Sequence, residues 1–376
     1  MPKKSNDIAN EVWGQLYARA AKAEDAAIVD ANYNPADDDA RARAALKSAG
    51  WSDEHIDQRF EIHRQREASA PVTSPGVNPF VESQLKQLCD DVEEVMDRLK
   101  MDSHAKVARG VEPRAWASAS KINVITTDES IVTVSAFLFR FCGLIARAFT
   151  RTLHLNPYIW EHKDFSEKTV HEYFQTSPEL FRYWLQIYMS FALTGTHINV
   201  PYKPATPSEV LVFEHIARAM EIFVIAHEYG HHHHAHGKGL GSDPQAEEFE
   251  ADQFALKISG AVKQFPPMLE NPYLKSGAGG VVMLLALDTL RDVQRLFGNA
   301  SETTLDTHPD VLARIERFDS VALLEPREFA RLNGFRLAAQ RVMGSVHSIL
   351  LPAIAAISKD KLRSLAEHHS SGSAPP

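Results

Sequence analysis

Apolar positions recur with helical spacing along most of the chain and alternate with strand spacing in one short stretch. After residue 80, the sequence VESQLKQLCDDVEEVMDRLKM keeps its apolar side chains on one stripe, which predicts an amphipathic helix. The stretch INVITTDESIVTVS predicts a strand, a short turn and a second strand. The segment FLFRFCGLIARAFTRTL returns to a helical pattern, as do most of residues 165–195 and 206–369. These patterns predict an α+β fold that is rich in helix and has a small sheet.

Composition divides the chain into a helical N-terminal segment, a linker, a main domain and a tail. Residues 1–67 are polar and rich in alanine, and their pattern predicts helices, with a stop at Gly50. Residues 68–80 hold three prolines and one glycine, which is typical of a linker. The main domain is therefore expected at 81–366, and the SSGSAPP sequence within 367–376 predicts a disordered tail.

Charge and cysteine content exclude several classes of protein. The chain has 376 residues, of which 44% are hydrophobic and 24% are charged, and this composition is typical of globular proteins. A formal charge of −9 argues against nucleic-acid binding. The two cysteines, Cys89 and Cys142, cannot form a disulfide framework, so we expect buried structural thiols in a reducing compartment. The longest apolar stretches are less than half of the roughly 18 residues that span a bilayer. We therefore expect no transmembrane segment and a cytoplasmic location.

One long helix carries the strongest chemical signal. The segment TPSEVLVFEHIARAMEIFVIAHEYGHHHHAHG begins with a cap at Thr206, a proline at 207 and a capping-box glutamate at 209. Gly237 is the expected stop signal. At about 1.5 Å per residue the predicted helix is roughly 45 Å long, which is enough to run through a domain.

Residues 227–231 read H-E-Y-G-H within that helix. His227 and His231 are four residues apart, so they project from one face with a spacing that suits a single tetrahedral Zn²⁺. Glu228 lies about 100° round the helix, where it can reach a water on the metal without ligating the metal itself. This geometry predicts a general base beside a Lewis acid.

The following helix, SDPQAEEFEADQFALKISG, offers a third ligand. A histidine ten residues after His227 would complete the metzincin pattern, but position 237 is glycine. Among the glutamates of the next helix, only Glu248 has a carboxylate four residues on, at Asp252. Glu248 is therefore the predicted ligand, with Asp252 accepting the second N–H of a ligand histidine. The alternative is a solvated acidic helix face.

Together these motifs resemble the M48 family of gluzincin metallopeptidases, over about residues 105–320. That family has HExxH, a further histidine nine residues after the first, and a downstream ExxxD; the matching residues here are His227, Glu228, His231, His236, Glu248 and Asp252. The segment THPDVLARIERF resembles another family motif, with His308 and Arg314 six residues apart. The resemblance implies a zincin-like domain in which Glu248 ligates zinc and His308 helps to stabilise the transition state. Arg314 is expected to hold Asp252 or His308 in place.

The predicted hairpin is loosely similar to the strand pair before the zinc helix of that family, whose edge strand binds extended substrate. The remaining histidines of the run HHHHAH are not expected to ligate the metal, and His236 is expected to be structural. His232 and His233 are predicted to point away from the metal and to be partly solvated. His234 is about 10 Å along the axis from His227, too far to share an ion. His236 is predicted on the opposite side of the helix.

The sequence thus predicts a soluble zinc-dependent endopeptidase with one Zn²⁺ per chain and a protein or peptide substrate. Two alternatives are a non-catalytic metal-binding regulatory protein, with residues 1–67 binding a partner, and a structural zinc site that only joins two helices. A further alternative, with the same chemistry, is a defence protease resembling the phage-exclusion protease Lit, with one specific host target. The glutamate at 228 argues against a structural site, since such a site has no use for it.

Overall fold

The fold is helical with one small sheet, as predicted, in a computed structural model that describes most of the chain. The described residues are 8–13, 15, 35–69, 79–102, 105–112, 116–124, 127–153, 167–197, 199–238, 243–263, 270–298, 309–318 and 326–370. In chain order the elements are α1 Pro35–Ser48, α2 Asp53–Ala68, α3 Pro79–Arg98, β1 Val107–Glu112, β2 Ala119–Asn123, β3 Ser130–Ser135, α4 Leu138–Leu153, α5 Glu167–Thr176, α6 Pro178–Thr194, α7 Val210–His233, α8 Pro244–Ala261, α9 Pro272–Lys275, α10 Ala278–Leu296, α11 Val311–Arg317 and α12 Pro326–Ser370.

The sheet has the order β1-β3-β2 among the described strands. β2 and β3 are antiparallel, which confirms the predicted hairpin, whereas β1 pairs with β3 in parallel and was not predicted. Every residue of β3 is buried because both faces of the sheet are covered. Val132 and Val134 face the main core, and Ile131 faces the opposite side. This alternation is the two-residue period of a strand that is enclosed on both faces.

The N-terminal residues 8–13 cover that opposite face of the sheet. Trp13 is only 4% exposed and packs with Ile131. A Cβ at Gly110 would lie 2.1 Å from the Cε2 atom of the Trp13 ring, so only glycine lets the ring approach β1 this closely. The backbone N–H of Ala9 donates to the Glu129 carboxylate at 3.1 Å. The start of the chain is therefore packed against the main domain.

The predicted division into domains stays a prediction. Trp51, between α1 and α2, donates its indole N–H to the Ala205 carbonyl at 2.8 Å, so this segment also contacts the main domain. Most of the predicted linker at 68–80 lies outside the described residues. The predicted tail at 367–376 overlaps the end of α12, and its last residues also lie outside them.

Helix α7 is the central element of the main domain. It packs against α3, α4, α8, α10 and the sheet, and nearly all its side chains from Ile216 to Gly230 are buried. The helix begins at Val210, with Glu209 and not Thr206 as its N-cap residue, so the predicted start at 206–207 is wrong by about one turn. One contact of the predicted capping box is present, because the Thr206 N–H donates to the Glu209 carboxylate at 2.9 Å. The helix ends at His233, however, before the predicted stop at 237.

Helix α12 contains one stretch, Leu332–Ile357, that is long and apolar enough to cross a membrane, with a mean hydropathy of 1.2. The core helix of a soluble protein can be equally long and apolar, and a third of the most apolar part of this stretch is buried inside the protein. Its buried apolar side chains recur at helical spacing: Leu332, Ala339, Val342, Met343, Val346, Leu350 and Ile354. These residues belong largely to the core that α12 shares with α10. The prediction of no transmembrane segment stays a prediction.

Both cysteines are buried and neither forms a disulfide, as expected for structural thiols. Burial raises the pKa of Cys89 to about 12. A thiol held in its neutral form is a poor nucleophile near neutral pH.

Candidate active site

The candidate site forms where α7 and α8 approach each other at Gly230. A Cβ at this position would lie 2.9 Å from the Cα atom of Ala251, closer than real side chains come to backbone. The glycine of the H-E-Y-G-H motif therefore allows close contact between the two helices. As a result, Glu248 on α8 reaches the histidines that project from α7.

The structure brings His227, His231 and Glu248 together. The Nε2 atoms of the two histidines are 3.1 Å apart. The carboxylate of Glu248 lies 3.5 Å from Nε2 of His227 and 3.3 Å from Nε2 of His231. Each residue offers one ligand atom to a group that spans less than 4.8 Å, and such a group could hold a metal ion.

Asp252 and Arg314 lie directly behind these three residues. Oδ1 of Asp252 is 3.0 Å from Nδ1 of His227, as expected for the acceptor of its second N–H. Arg314 donates to both oxygens of Asp252, at 2.7 Å each, and its Nη1 lies 3.3 Å from the Glu248 carboxylate. Of the two partners expected for Arg314, the structure shows Asp252.

The buried carboxylates beside His227 favour the protonated, positively charged form of its ring. Burial alone would lower the pKa of His227, but hydrogen bonds and charge from Asp252 and Glu248 outweigh it and raise this pKa to about 10. Burial would raise the pKa of Asp252, yet Arg314 and His227 hold it below its usual value. Asp252 therefore remains ionised, and the site stabilises positive charge beside it.

Glu228 lies inside the same site and is 8% exposed. Its negative charge acts on Arg314 and on Lys121 of strand β2. Burial, followed by the neighbouring Lys238, lowers the pKa of Lys121 to about 8. The carboxylate predicted to act as a base thus lies near Lys121 at the edge of the sheet and near Arg314 of α11.

His308 lies outside the described residues. The structure describes the motif from Pro309, which is buried, to the end of α11. Asp310 begins α11 by accepting the Ala313 N–H at 3.1 Å, and Arg314 follows one turn later, 7% exposed. This half of the motif therefore reaches the site through Arg314.

Two expectations for the histidine run are wrong. His232 is buried, and it bridges the Ser130 hydroxyl at 2.8 Å and the Ala105 carbonyl at 3.1 Å, so it joins α7 to the sheet and is not solvated. His236 is not on the far side of the helix. Because α7 ends at His233, the backbone turns, and Nδ1 of His236 lies 2.8 Å from Nδ1 of His231.

The residues that hold this turn were not predicted from the sequence. The carbonyl of His236 accepts from Lys121 Nζ at 2.7 Å and from Asn123 Nδ2 at 3.2 Å, and Nε2 of His236 is 2.9 Å from the Glu250 carboxylate. No local pattern links strand β2 to the end of α7. Gly230 did carry a signal, because a glycine inside a helix is unfavourable unless close packing requires it.

Comparison with known proteins supports a peptidase. A family model described as peptidase U49 matches residues 156–333, which is just under half of the chain. The match includes α7, α8 and α11, the helices that build the site, but not the sheet or the N-terminal helices. It supports a peptidase without supporting the M48 assignment drawn from the motifs. No curated protein and no solved structure matches the chain. Over the region that carries the site, the chain is therefore similar to the U49 peptidases, and this similarity indicates a peptidase.

Proposed function

We propose that the protein is a zinc-dependent endopeptidase of the HExxH and ExxxD type, with one Zn²⁺ held by His227, His231 and Glu248. The observation that carries this proposal is the spacing of the three ligand groups. Ligands at 2.0–2.1 Å from a tetrahedral Zn²⁺ lie about 3.3 Å from one another. The two Nε2 atoms are 3.1 Å apart, and Glu248 approaches them through its two oxygens, with Oε1 3.3 Å from His231 and Oε2 3.5 Å from His227. Two imidazoles and one carboxylate are also the donor set of a catalytic zinc site, which leaves one position open.

The proposed reaction is hydrolysis of a peptide bond. When bound, Zn²⁺ supplies a Lewis acid that lowers the pKa of a coordinated water and polarises the substrate carbonyl. With the ion bound, Glu228 would act as the general base for the attacking water and as the proton donor to the leaving amine. Asp252 would accept a hydrogen bond from the Nδ1–H of His227, which leaves the lone pair of Nε2 available to a metal ion. Arg314 keeps Asp252 ionised and oriented.

We further propose that His308 donates a hydrogen bond to the oxyanion that forms on the substrate carbonyl. Support comes from the motif that it shares with Arg314, which reaches the site six residues later. Substrate would lie along β2, the strand at the edge of the described sheet that contacts α7. An extended peptide can pair with such an edge through main-chain hydrogen bonds.

The decisive experiment measures zinc and peptide cleavage in the same preparations. Wild-type protein should bind one Zn²⁺ and cleave an unstructured protein such as casein, and a chelator should abolish cleavage. Glu228→Gln should retain zinc but lose cleavage, since the amide cannot accept a proton. Glu214→Gln, on the exposed side of α7, is the matched control and should keep both properties. Cleavage by Glu228→Gln at the wild-type rate, or zinc retained after His227→Ala, would contradict the proposal.

A second experiment separates a general peptidase from the Lit-like alternative, with which the similarity to U49 is also compatible. Cells expressing wild-type protein are compared by proteomics with cells expressing Glu228→Gln. A protease with one target should produce a single new pair of fragments, whereas a general peptidase should produce many. Zinc binding without any cleavage in either experiment would favour the non-catalytic metal-binding alternative.

A further inference from the structure

His231 and His236 contact each other through equivalent ring nitrogens. Their Nδ1 atoms are 2.8 Å apart, which is a hydrogen-bond distance. In such a pair one nitrogen must carry the proton and the other must accept it. The direction of this bond therefore depends on what the other nitrogen of each ring does.

The turn after α7 is built so that His236 reaches this position. Ala235 adopts a positive φ of 55°, which reverses the backbone, and the His236 N–H donates to the His231 carbonyl at 3.0 Å. Lys121 and Asn123 of β2 both donate to the carbonyl of His236. The imidazole of His236 is consequently buried, with 6% of the residue exposed, against the ring of His231.

Counting protons gives one consistent arrangement. If Nε2 of His231 faces the ion, its Nδ1 carries the proton and donates to Nδ1 of His236. The neutral His236 ring then has its proton on Nε2, and this atom lies 2.9 Å from the Glu250 carboxylate, which accepts it. Each ring nitrogen of His231 and His236 thus has one partner: the ion, the other ring or the Glu250 carboxylate.

These positions of the ring protons are incompatible with a second ion nearby. His234, His236 and Glu250 also form a group whose ligand atoms lie within 4.8 Å of one another. An ion on Nε2 of His236 would place the proton of that ring on Nδ1, facing the Nδ1–H of His231. Two donors cannot share a 2.8 Å contact, so filling the outer group would break the hydrogen bond behind the inner ligand.

We propose that His236 and Glu250 are positioning residues that orient His231 for the metal, as Asp252 and Arg314 do for His227. This inference rests on the proposed function, since it takes His231 as a ligand. Acceptors behind ligand histidines fix the ring orientation and raise ligand basicity, and their loss typically weakens metal binding by about 10- to 100-fold.

The test uses the full chain and two readouts besides activity. Zinc affinity is measured by competition with a chromophoric chelator. In Co²⁺-loaded protein, paramagnetic ¹H NMR detects the exchangeable Nδ1–H of each ligand histidine. We expect His236→Ala to lower zinc affinity by about 10- to 100-fold and to remove one exchangeable signal by exposing it to water. Glu250 is exposed enough for water to replace it, so Glu250→Ala should have a smaller effect.

Two variants control for simple structural damage. The amide of His236→Gln can accept from His231 and donate to Glu250, so it should recover most of the affinity and the NMR signal. His234→Ala should change neither readout. If His236→Ala and His236→Gln both match wild type while His231→Ala loses zinc, the inference is wrong but the proposed function stands.

Zinc retained by His231→Ala would instead overturn the proposed function itself. Binding of two zinc ions per chain, reduced to one by His234→Ala, would show that the outer group is a metal site and would overturn the inference. If His236→Ala fails to fold, Glu250→Ala decides the question, because Glu250 is exposed and its replacement leaves the turn in place. A measurable loss of zinc affinity in Glu250→Ala supports the inference, and wild-type affinity overturns it.

Discussion

Arg314 and Asp252 are 62 residues apart in the sequence and form a buried, bidentate ion pair behind the candidate metal ligands. The fork of the guanidinium matches the two carboxylate oxygens, a geometry that only arginine provides. Because Asp252 also contacts His227, this pair connects α11, α8 and α7. The orientation of a candidate ligand on one helix thus depends on a residue of a distant helix.

Replacing Arg314 should weaken metal binding through Asp252. Arg314→Lys keeps the charge but loses the fork, so we expect zinc affinity to fall by about 10- to 100-fold. Arg314→Ala leaves a buried carboxylate without its partner and should also lower the free energy of unfolding by about 3–5 kcal/mol. Chelator competition and urea unfolding measure the two effects. Glu316→Ala, on the exposed side of α11, should change neither, and unaltered zinc affinity in Arg314→Lys would contradict the assignment.

Gly230→Ala should separate the two helices of the site. The added methyl group would overlap the backbone of Ala251, and such overpacking costs about 1–3 kcal/mol. Since Glu248 would also move away from the histidines, zinc affinity should fall together with the thermal midpoint. Gly344→Ala is the matched control, because its methyl group meets nothing within 4 Å and alanine favours a helix by about 1 kcal/mol. A Gly230→Ala protein with wild-type zinc affinity would show that this close contact is not needed.

Trp13 should contribute substantially to the stability of the main domain. Trp13→Ala uncovers one face of the sheet, and we expect a loss of about 3–5 kcal/mol in urea unfolding. Gly110→Ala alone should cost about 1–3 kcal/mol, because its methyl group displaces the indole ring. In the Trp13→Ala background the second substitution should cost almost nothing. Strictly additive effects of the two substitutions would mean that the ring does not lie on Gly110.

Glu221 should make stability depend on pH. This residue is buried in α7, where burial raises the pKa of its carboxyl from 4.5 to about 7, although Gln84 donates to it at 2.8 Å. A raised carboxyl pKa favours the protonated form, so its stabilising effect is complete below pH 4.5 and is lost as pH rises through about 7.

Glu221→Gln removes this titration. At pH 8 the variant should be more stable than wild type by about 3 kcal/mol, and the difference should shrink at pH 5.5. Urea unfolding at both pH values measures it. Glu214→Gln, at an exposed position on the same helix, is the control. An equal effect of Glu221→Gln at both pH values would rule out titration of Glu221 as the cause.

Local sequence was sufficient for the features that depend on helix and strand periods. Two histidines four residues apart must share a helix face, and a glutamate and an aspartate four apart must do the same on the next helix. The Thr206 contact at the start of α7 and the Asp243 cap of α8 are likewise local, since each joins residues within three positions. The hairpin of β2 and β3 follows from its alternating pattern and short turn.

Only the tertiary structure decided the features that join distant parts of the chain. The end of α7 at His233, and with it the position of His236, depends on hydrogen bonds from Lys121 and Asn123 more than 110 residues earlier. Strand β1 was missed because a short strand with an arginine and a glycine is stabilised by β3 and Trp13, not by its own pattern. Arg314 could have contacted either of two partners, and packing of α11 on α8 brought it to Asp252. Helical and strand periods act over a few residues, whereas these contacts form only when buried surfaces meet across the fold.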